Sequence, residues 1–284
     1  MATVRSPNFN NPSDSLMSLD ALTRSSGSGV LEWARRWLLP LAVLAAIWES
    51  ISHFSHVNQA LFPPIEVVLR TFWTLALNGS LWHNTQGTLY RMFVGWSLAS
   101  VIGIVLGFAM ARNRYVEEFF VPIIGVLLPI PSLAWIPFFI LWFGFSDTTI
   151  ILLVAFSAVL PMSLSTWTGM RTINPVWARA AQSLNITGFK FFRKIVLPAS
   201  LPSVMTGLRI GIAQAWRAVI AGEMLAATQF GLGVLIFNAR EFLRTDVMLA
   251  ALLVIGPLGL LIEKVLFEQI ERMTIEKWGM TGRD

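Results

Sequence analysis

The chain contains no cysteine in its 284 residues. Disulfides, thiol catalysis and thiolate metal sites are therefore excluded. Charge is scarce too, at 13% against roughly 25% in soluble domains. Hydrophobic residues reach 55% and mean hydropathy is +0.65. A soluble protein of this length could not cover its surface with so few charges. Histidine is limited to His53, His56 and His83, with no companion carboxylate cluster, so no metal site is expected. Glycine has no period, which excludes a collagen-like chain. No G-x-x-x-x-G-K-[ST] phosphate loop occurs, so the chain is not an ATPase by that route. Neither paired carboxylates nor histidine clusters lie in the apolar runs, which makes an integral membrane enzyme the weakest reading. What remains is a polytopic all-α membrane protein. Six spans of about 20 residues use about 120 residues and leave no room for a second large domain.

Residues 1–29 are rich in Ser, Asn, Gly and Pro and carry no apolar run. They are expected to be a disordered tail rather than a signal peptide. The run Trp37–Ile51 predicts a first span from near Glu32 to Ser52. Met92–Ala111 is a second span without charge. Phe119–Ser146 is a third, interrupted by Pro129-Ile130-Pro131 and Pro137, which kink or break a helix. Asp147 is expected to cap the fourth, Thr148–Met170, after a tight turn at Gly144–Asp147. The fifth, Ile195–Gly222, contains Arg209 and Arg217. The sixth, Val247–Ile262, continues to Leu266. Residues 30–270 thus make up the membrane domain and 271–284 a C-terminal tail.

Basic residues orient the chain. With the N-terminus inside, fourteen Lys and Arg fall on cytoplasmic segments: Arg5, Arg24, Arg35, Arg36, Arg112, Arg114, five in the 171–198 loop, Arg272, Lys277 and Arg283. Only Arg70, Arg240 and Arg244 fall outside. This bias predicts both termini in the cytoplasm. It also accounts for the net charge of +5, so nucleic acid is not an expected partner. Two external segments, Ile65–Leu77 after Pro63-Pro64 and Phe237–Asp246, are amphipathic and suit the outer interface.

The 171–198 loop, RTINPVWARAAQSLNITGFKFFRKIVLP, is more ordered than a solvated linker requires. Asn174 suits an N-cap and Pro175 a first helical residue. Val176, Ala180 and Leu184 form a narrow apolar stripe. Asn185 suits the left-handed residue that ends a helix. Thr187 can open a second arm through Gly188, Phe189, Phe192 and Ile195, with Leu197-Pro198 leading into the fifth span. The expectation is a helix–turn–helix at the membrane surface.

This loop resembles the cytoplasmic coupling motif of permease subunits of binding-protein-dependent ABC importers. That motif runs Glu-Ala-Ala, three residues, Gly, then a stretch ending in an apolar pair and Pro. Ala180-Ala181 and Ile195–Pro198 match, while Arg179 replaces the acid and Asn185 the glycine. Pro129–Pro137, Leu141–Gly144, Leu61–Pro64 and Thr206–Gly211 resemble the nitrate, sulfonate, taurine and bicarbonate branch of these permeases. The likeness runs over roughly 35–270. It implies a type I importer permease fold in the bacterial inner membrane, with two copies forming the pore. The implied partners are two ATP-binding subunits, which hold the ATP and Mg, a binding protein that delivers substrate outside, and the surrounding lipid. Val176, Arg179, Ala180, Ala181, Leu184, Asn185, Gly188, Phe189, Phe192 and Pro198 are then the expected ATPase-coupling residues.

Charges within spans default to functional candidates. Arg91 and Arg209 can snorkel to headgroups. Arg217, beside Trp216, is deeper and can attract an anion or pair with Glu223 of either copy. Arg217, Glu223, Arg209, Trp135 and Trp216 are the candidate pore residues. The alternative to an importer permease is a channel or secondary carrier for small anions that works without an ATPase.

Overall fold

The computed structural model describes residues 39–40, 42–53, 58, 60–173, 175–226 and 229–274. The expected tail at 1–29, all but the first four residues of the expected 271–284 tail, most of the N-terminal half of the first span, and Asn174 lie outside them. Regular structure among the described residues is helical throughout. Two units can be distinguished, Met1–Glu66 and Val67–Asp284.

In the first unit, helix α1 (42–53) carries Trp48, whose ring stacks on Phe62 at 3.9 Å. Its indole N–H donates to the Pro63 carbonyl at 3.0 Å. Glu49 Oε2 accepts the Ile65 N–H at 3.1 Å. That bond satisfies one of the orphan donors where α2 (Ile65–Leu77) starts after the proline pair.

The second unit is built on α3 (Ser80–Arg112), α6 (Asp147–Arg171) and α9 (Leu197–Leu225). α6 packs against both of the others. Met92 and Ala99 of α3, Val154, Ala158 and Met162 of α6, and Ala215 and Val219 of α9 are fully buried at these contacts. In lipid, helix association is driven by van der Waals packing through small residues. At Gly107 a Cβ would lie 2.5 Å from Thr166 Cβ of α6, and at Gly169 of α6 one would lie 2.2 Å from Ser203 Cβ of α9. No larger residue fits there without moving the helices apart.

Among the described residues, four helical segments are long and apolar enough to cross a membrane: Ser80–Arg112, Asp147–Arg171, Phe192–Leu225 and Thr245–Lys264. The expected third span is not straight. It divides into α4 (Arg114–Leu127), a 3-10 turn (Ser132–Trp135) and α5 (Ile136–Phe143), and the two arms meet at 98°. Pro129, Pro131 and Pro137 remove three donors within nine residues, so the helix ends instead of kinking.

Other boundaries differ for local reasons. α3 starts twelve residues before Met92, because Arg91 is buried inside the protein and does not mark the end of the span. Ser146, not Asp147, caps α6, accepting the Thr149 N–H at 3.3 Å. α10 covers Leu232–Glu241, ahead of the expected Phe237–Asp246, and α11 runs from Thr245 to Thr274. Thr71 of α2 donates to Asp246 Oδ2 at 2.8 Å, so Asp246 ties α2 to the start of α11.

Candidate functional site

The loop between α6 and α9 forms the expected helix–turn–helix. α7 (Pro175–Ser183) starts at its proline. Asn185 adopts φ 57°, and the Ile186 N–H donates to the Ala181 carbonyl at 2.9 Å. Together these make a Schellman cap with Asn in the place usual for Gly, since Asn tolerates the left-handed region nearly as well. α8 (Gly188–Phe191) follows, with Gly188 at φ 59°. It then runs through a π-helical turn, Phe192–Val196, straight into α9. The second arm is therefore continuous with the span and is not a separate short helix. Phe192 packs edge-on against Phe108 of α3 at 5.6 Å, and Pro198 is half-buried in the first turn of α9. The Phe189 side chain lies outside the described residues.

The stripe on α7 faces outward. Val176 is 54% and Leu184 72% exposed, and Arg179 and Ala180 are exposed beside them. Ala181 is different, at 1% exposure. It is the foot of the α7 cap and not part of the outward face. Arg171 at the end of α6 pairs with Glu117 of α4 and stacks over Trp167.

A second cluster lies where α3, α6, α9 and α10 meet. Glu223 of α9 is fully buried. Its Oε1 accepts from Arg91 Nη1 at 2.6 Å, and its Oε2 accepts from the Thr88 hydroxyl and the Gly233 N–H, each at 2.9 Å. Arg91 also donates from Nη1 to the Phe230 carbonyl at 2.6 Å and from Nε to Asp147 Oδ1 at 2.8 Å. The Leu232 N–H donates to the Thr88 hydroxyl at 2.9 Å, and the Gly231 N–H to Asn84 Oδ1 at 2.8 Å. A Cβ on Gly231 would fall 2.6 Å from Glu223 Oε1, so only glycine lets the chain pass this carboxylate. Each charge here is paired, which is what burial demands. The expectation of Glu223 on the transport path beside Arg217, and of Arg91 at headgroups, is therefore corrected. The two pair with each other, and Glu223 faces α3 and α10. Six residues place Arg217 and Glu223 about 120° apart around α9, so they point to different faces.

The remaining pore candidates separate in the same way. Trp135 is in the 3-10 turn of the broken span, 5.1 Å from the Phe156 ring. Its buried indole N–H meets no acceptor among the described residues. Trp216 and Arg217 line a cleft of about 440 Å³ between α9 and α11, and Arg209 reaches α11 beside it. Arg209 Nη2 is 3.5 Å from Glu263 Oε1 of α11. Sequence reasoning misses Glu263, although an acid at the inner end of an apolar run opposite Arg209 is a readable signal.

Residues 99–268 match the family described as binding-protein-dependent transport system inner membrane component. That stretch holds the capped α7 loop and both arginines of α9. The chain belongs to that family. As such a permease it is a multi-pass transport subunit and carries out no catalysis itself. This permease is similar to the taurine transport system permease protein TauC of Escherichia coli, 34% identical over 239 residues, 82% of this chain and 86% of that one. It is similar to the putative aliphatic sulfonates transport permease protein SsuC of the same organism, 34% identical over 252 residues, 88% and 94% of the two chains. The bicarbonate transport system permease protein CmpB of Synechococcus elongatus is 31% identical over 259 residues, 85% and 93% of the two chains. A chain in a solved structure of inward-facing conformations of the MetNI methionine ABC transporter shares the fold: TM-score 0.58, 21% identity, 70% of this permease and 95% of that chain covered.

The cap on α7 gives a test of the loop geometry. Asn185→Gly keeps φ 57° accessible and should leave the loop unchanged. Asn185→Val puts a β-branched residue in the left-handed region, at a cost of roughly 1–2 kcal/mol. Amide hydrogen exchange over 175–186 should rise several-fold in the valine variant alone.

Proposed function

We propose that this permease is the membrane subunit of an ATP-driven importer for a small oxyanion of the sulfonate, nitrate or bicarbonate type. Two copies form the pore, each with six spans and both termini in the cytoplasm of a bacterial cell. Each copy docks its α7 loop on one of two ATP-binding subunits, which carry ATP and Mg. A binding protein outside the membrane supplies the anion. The observation that carries this reading is the outward apolar face of α7. Val176, Ala180 and Leu184 are held out on a helix whose C-terminus is fixed by the Asn185 cap, yet they are exposed in the chain itself. A stripe of this kind fits a cleft on a partner. Arg179 stands beside the stripe, so the partner surface opposite it is expected to be acidic or neutral. The relatives named for taurine, sulfonates and bicarbonate support an anionic substrate. Arg217 fits it too, since a cation at mid-span costs about 2.5–3.5 kcal/mol unless water or an anion offsets it.

Uptake into proteoliposomes tests this. With its ATPase, loaded binding protein and ATP, the permease should accumulate labelled taurine, nitrate or bicarbonate. Without the ATPase, uptake should fall to background. Uptake by the permease alone, driven by an ion gradient, would instead identify a secondary carrier.

A further inference from the structure

The cleft between α9 and α11 has a charge arrangement that packing alone does not require. Trp216 lies against bare backbone: a Cβ on Gly259 would come within 2.7 Å of its Nε1. Gly256 faces open space, and a Cβ added there would meet nothing within 4 Å. Arg217 stands at the rim and spends its Nε on the Ala213 carbonyl at 3.1 Å. Its terminal nitrogens meet no acid among the described residues. Glu263 also lines the cleft, but it is held by Arg209. At 3.5 Å that contact is longer than the 2.7–2.9 Å or so of a good charge-assisted bond. Two guanidinium groups thus stand near one carboxylate, which touches only Arg209. They are eight residues apart, about 12 Å along α9, with Trp216 between them.

We infer that the α9–α11 cleft is a water-filled transit site for the anion, with Arg217 as first station, Arg209 as second, and Glu263 as the internal counter-ion that the anion displaces from Arg209. The inference rests on the importer reading and adds a place and a ligand chemistry to it. The fork of a guanidinium matches two oxygens of a nitrate, sulfonate or carboxylate group, which a halide or a cation cannot reproduce. The loose Arg209–Glu263 contact lets an incoming oxyanion exchange with the carboxylate. Glu263 then leaves Arg209 neutralised, not trapping, when the site is empty.

The cysteine-free chain allows a test that does not depend on transport. Gly256→Cys places one thiol in the open part of the cleft, and Asn78→Cys serves as an exposed control. Two methanethiosulfonate reagents of similar size are compared in the assembled complex, one carrying a sulfonate and one a trimethylammonium group. At Gly256→Cys the sulfonate reagent should react about tenfold faster or more, as a cationic cleft concentrates anions. Millimolar nitrate or methanesulfonate should slow it. Adding Arg217→Gln should remove most of that preference. Equal rates for both reagents, unchanged by Arg217→Gln, would overturn the inference. So would silence at Gly256→Cys with both reagents while Asn78→Cys reacts, which would mean that lipid or a second copy fills the cleft. ATP-driven uptake by the cysteine-free parent reports on the importer reading separately, so failure of one is not failure of the other.

Discussion

Arg91→Met is expected to remove most of the folded permease from the membrane. The substitution strands Glu223, a fully buried carboxylate, with only the Thr88 hydroxyl and the Gly233 N–H as partners. It also frees the Phe230 carbonyl and Asp147. Removing one member of a buried pair typically costs about 3–5 kcal/mol, because the remaining charge is uncompensated. That is a large share of the roughly 5–15 kcal/mol that holds a domain folded. The helices α3, α6 and α9 and the Phe230 loop lose a common tie at once. Asp147→Asn should be far milder, since the Asp147 side chain is 52% exposed and water can replace it. The double variant Arg91→Met with Glu223→Gln should recover part of the loss, because no bare carboxylate is left. Size-exclusion yield and thermal melting in detergent measure all of these. An Arg91→Met protein that melts with the parent would show that the network contributes nothing.

Leu184→Glu is expected to separate the permease from its ATPase while leaving it folded. Leu184 is 72% exposed, so the change removes little packing within the chain, and the Asn185 cap stays in place. At a docking surface, a well-placed apolar anchor contributes about 2 kcal/mol or more. Capture of the ATPase should therefore fall about thirtyfold or further, and ATP-driven uptake with it. Ala181→Glu is a poor substitute. It would force a charge into a site with 1% exposure and unfold α7 itself.

Much of this arrangement is legible in the residues, where the signal is local. Pro63-Pro64 marks the start of α2, Pro175 the start of α7, and Asn185 its left-handed end. Long charge-free runs locate the cores of α6 and α11, and α9 is legible as an apolar run despite Arg209 and Arg217. The failures share a physical origin in pairing between distant segments. Reading a charge as the end of a span cuts α3 at Arg91, because nothing local reveals that Glu223, 132 residues later, neutralises it. The same distance hides the role of Asp147, which has the chemistry of a cap although Ser146 takes that place. In the coupling loop, spacing identifies the apolar stripe. It does not tell Ala181, which turns inward, from Ala180, which turns out. Two adjacent alanines differ by about 100° around a helix, and only the packing decides which is covered. The prolines at 129, 131 and 137 announce an interruption, but the 98° bend depends on how the two arms pack.

The coupling assignment is tested most directly by cross-linking from Ala180. The chain has no cysteine of its own, so Ala180→Cys gives a single thiol on the outward face of α7. In membranes containing the assembled complex, a short bifunctional maleimide should join this residue to the ATP-binding subunit in high yield. The yield should change when ATP is added and hydrolysis is blocked. A thiol at Asn78 should give no such product. If Ala180→Cys remains uncross-linked in a complex that still imports its anion with ATP, then α7 is not the point of attachment.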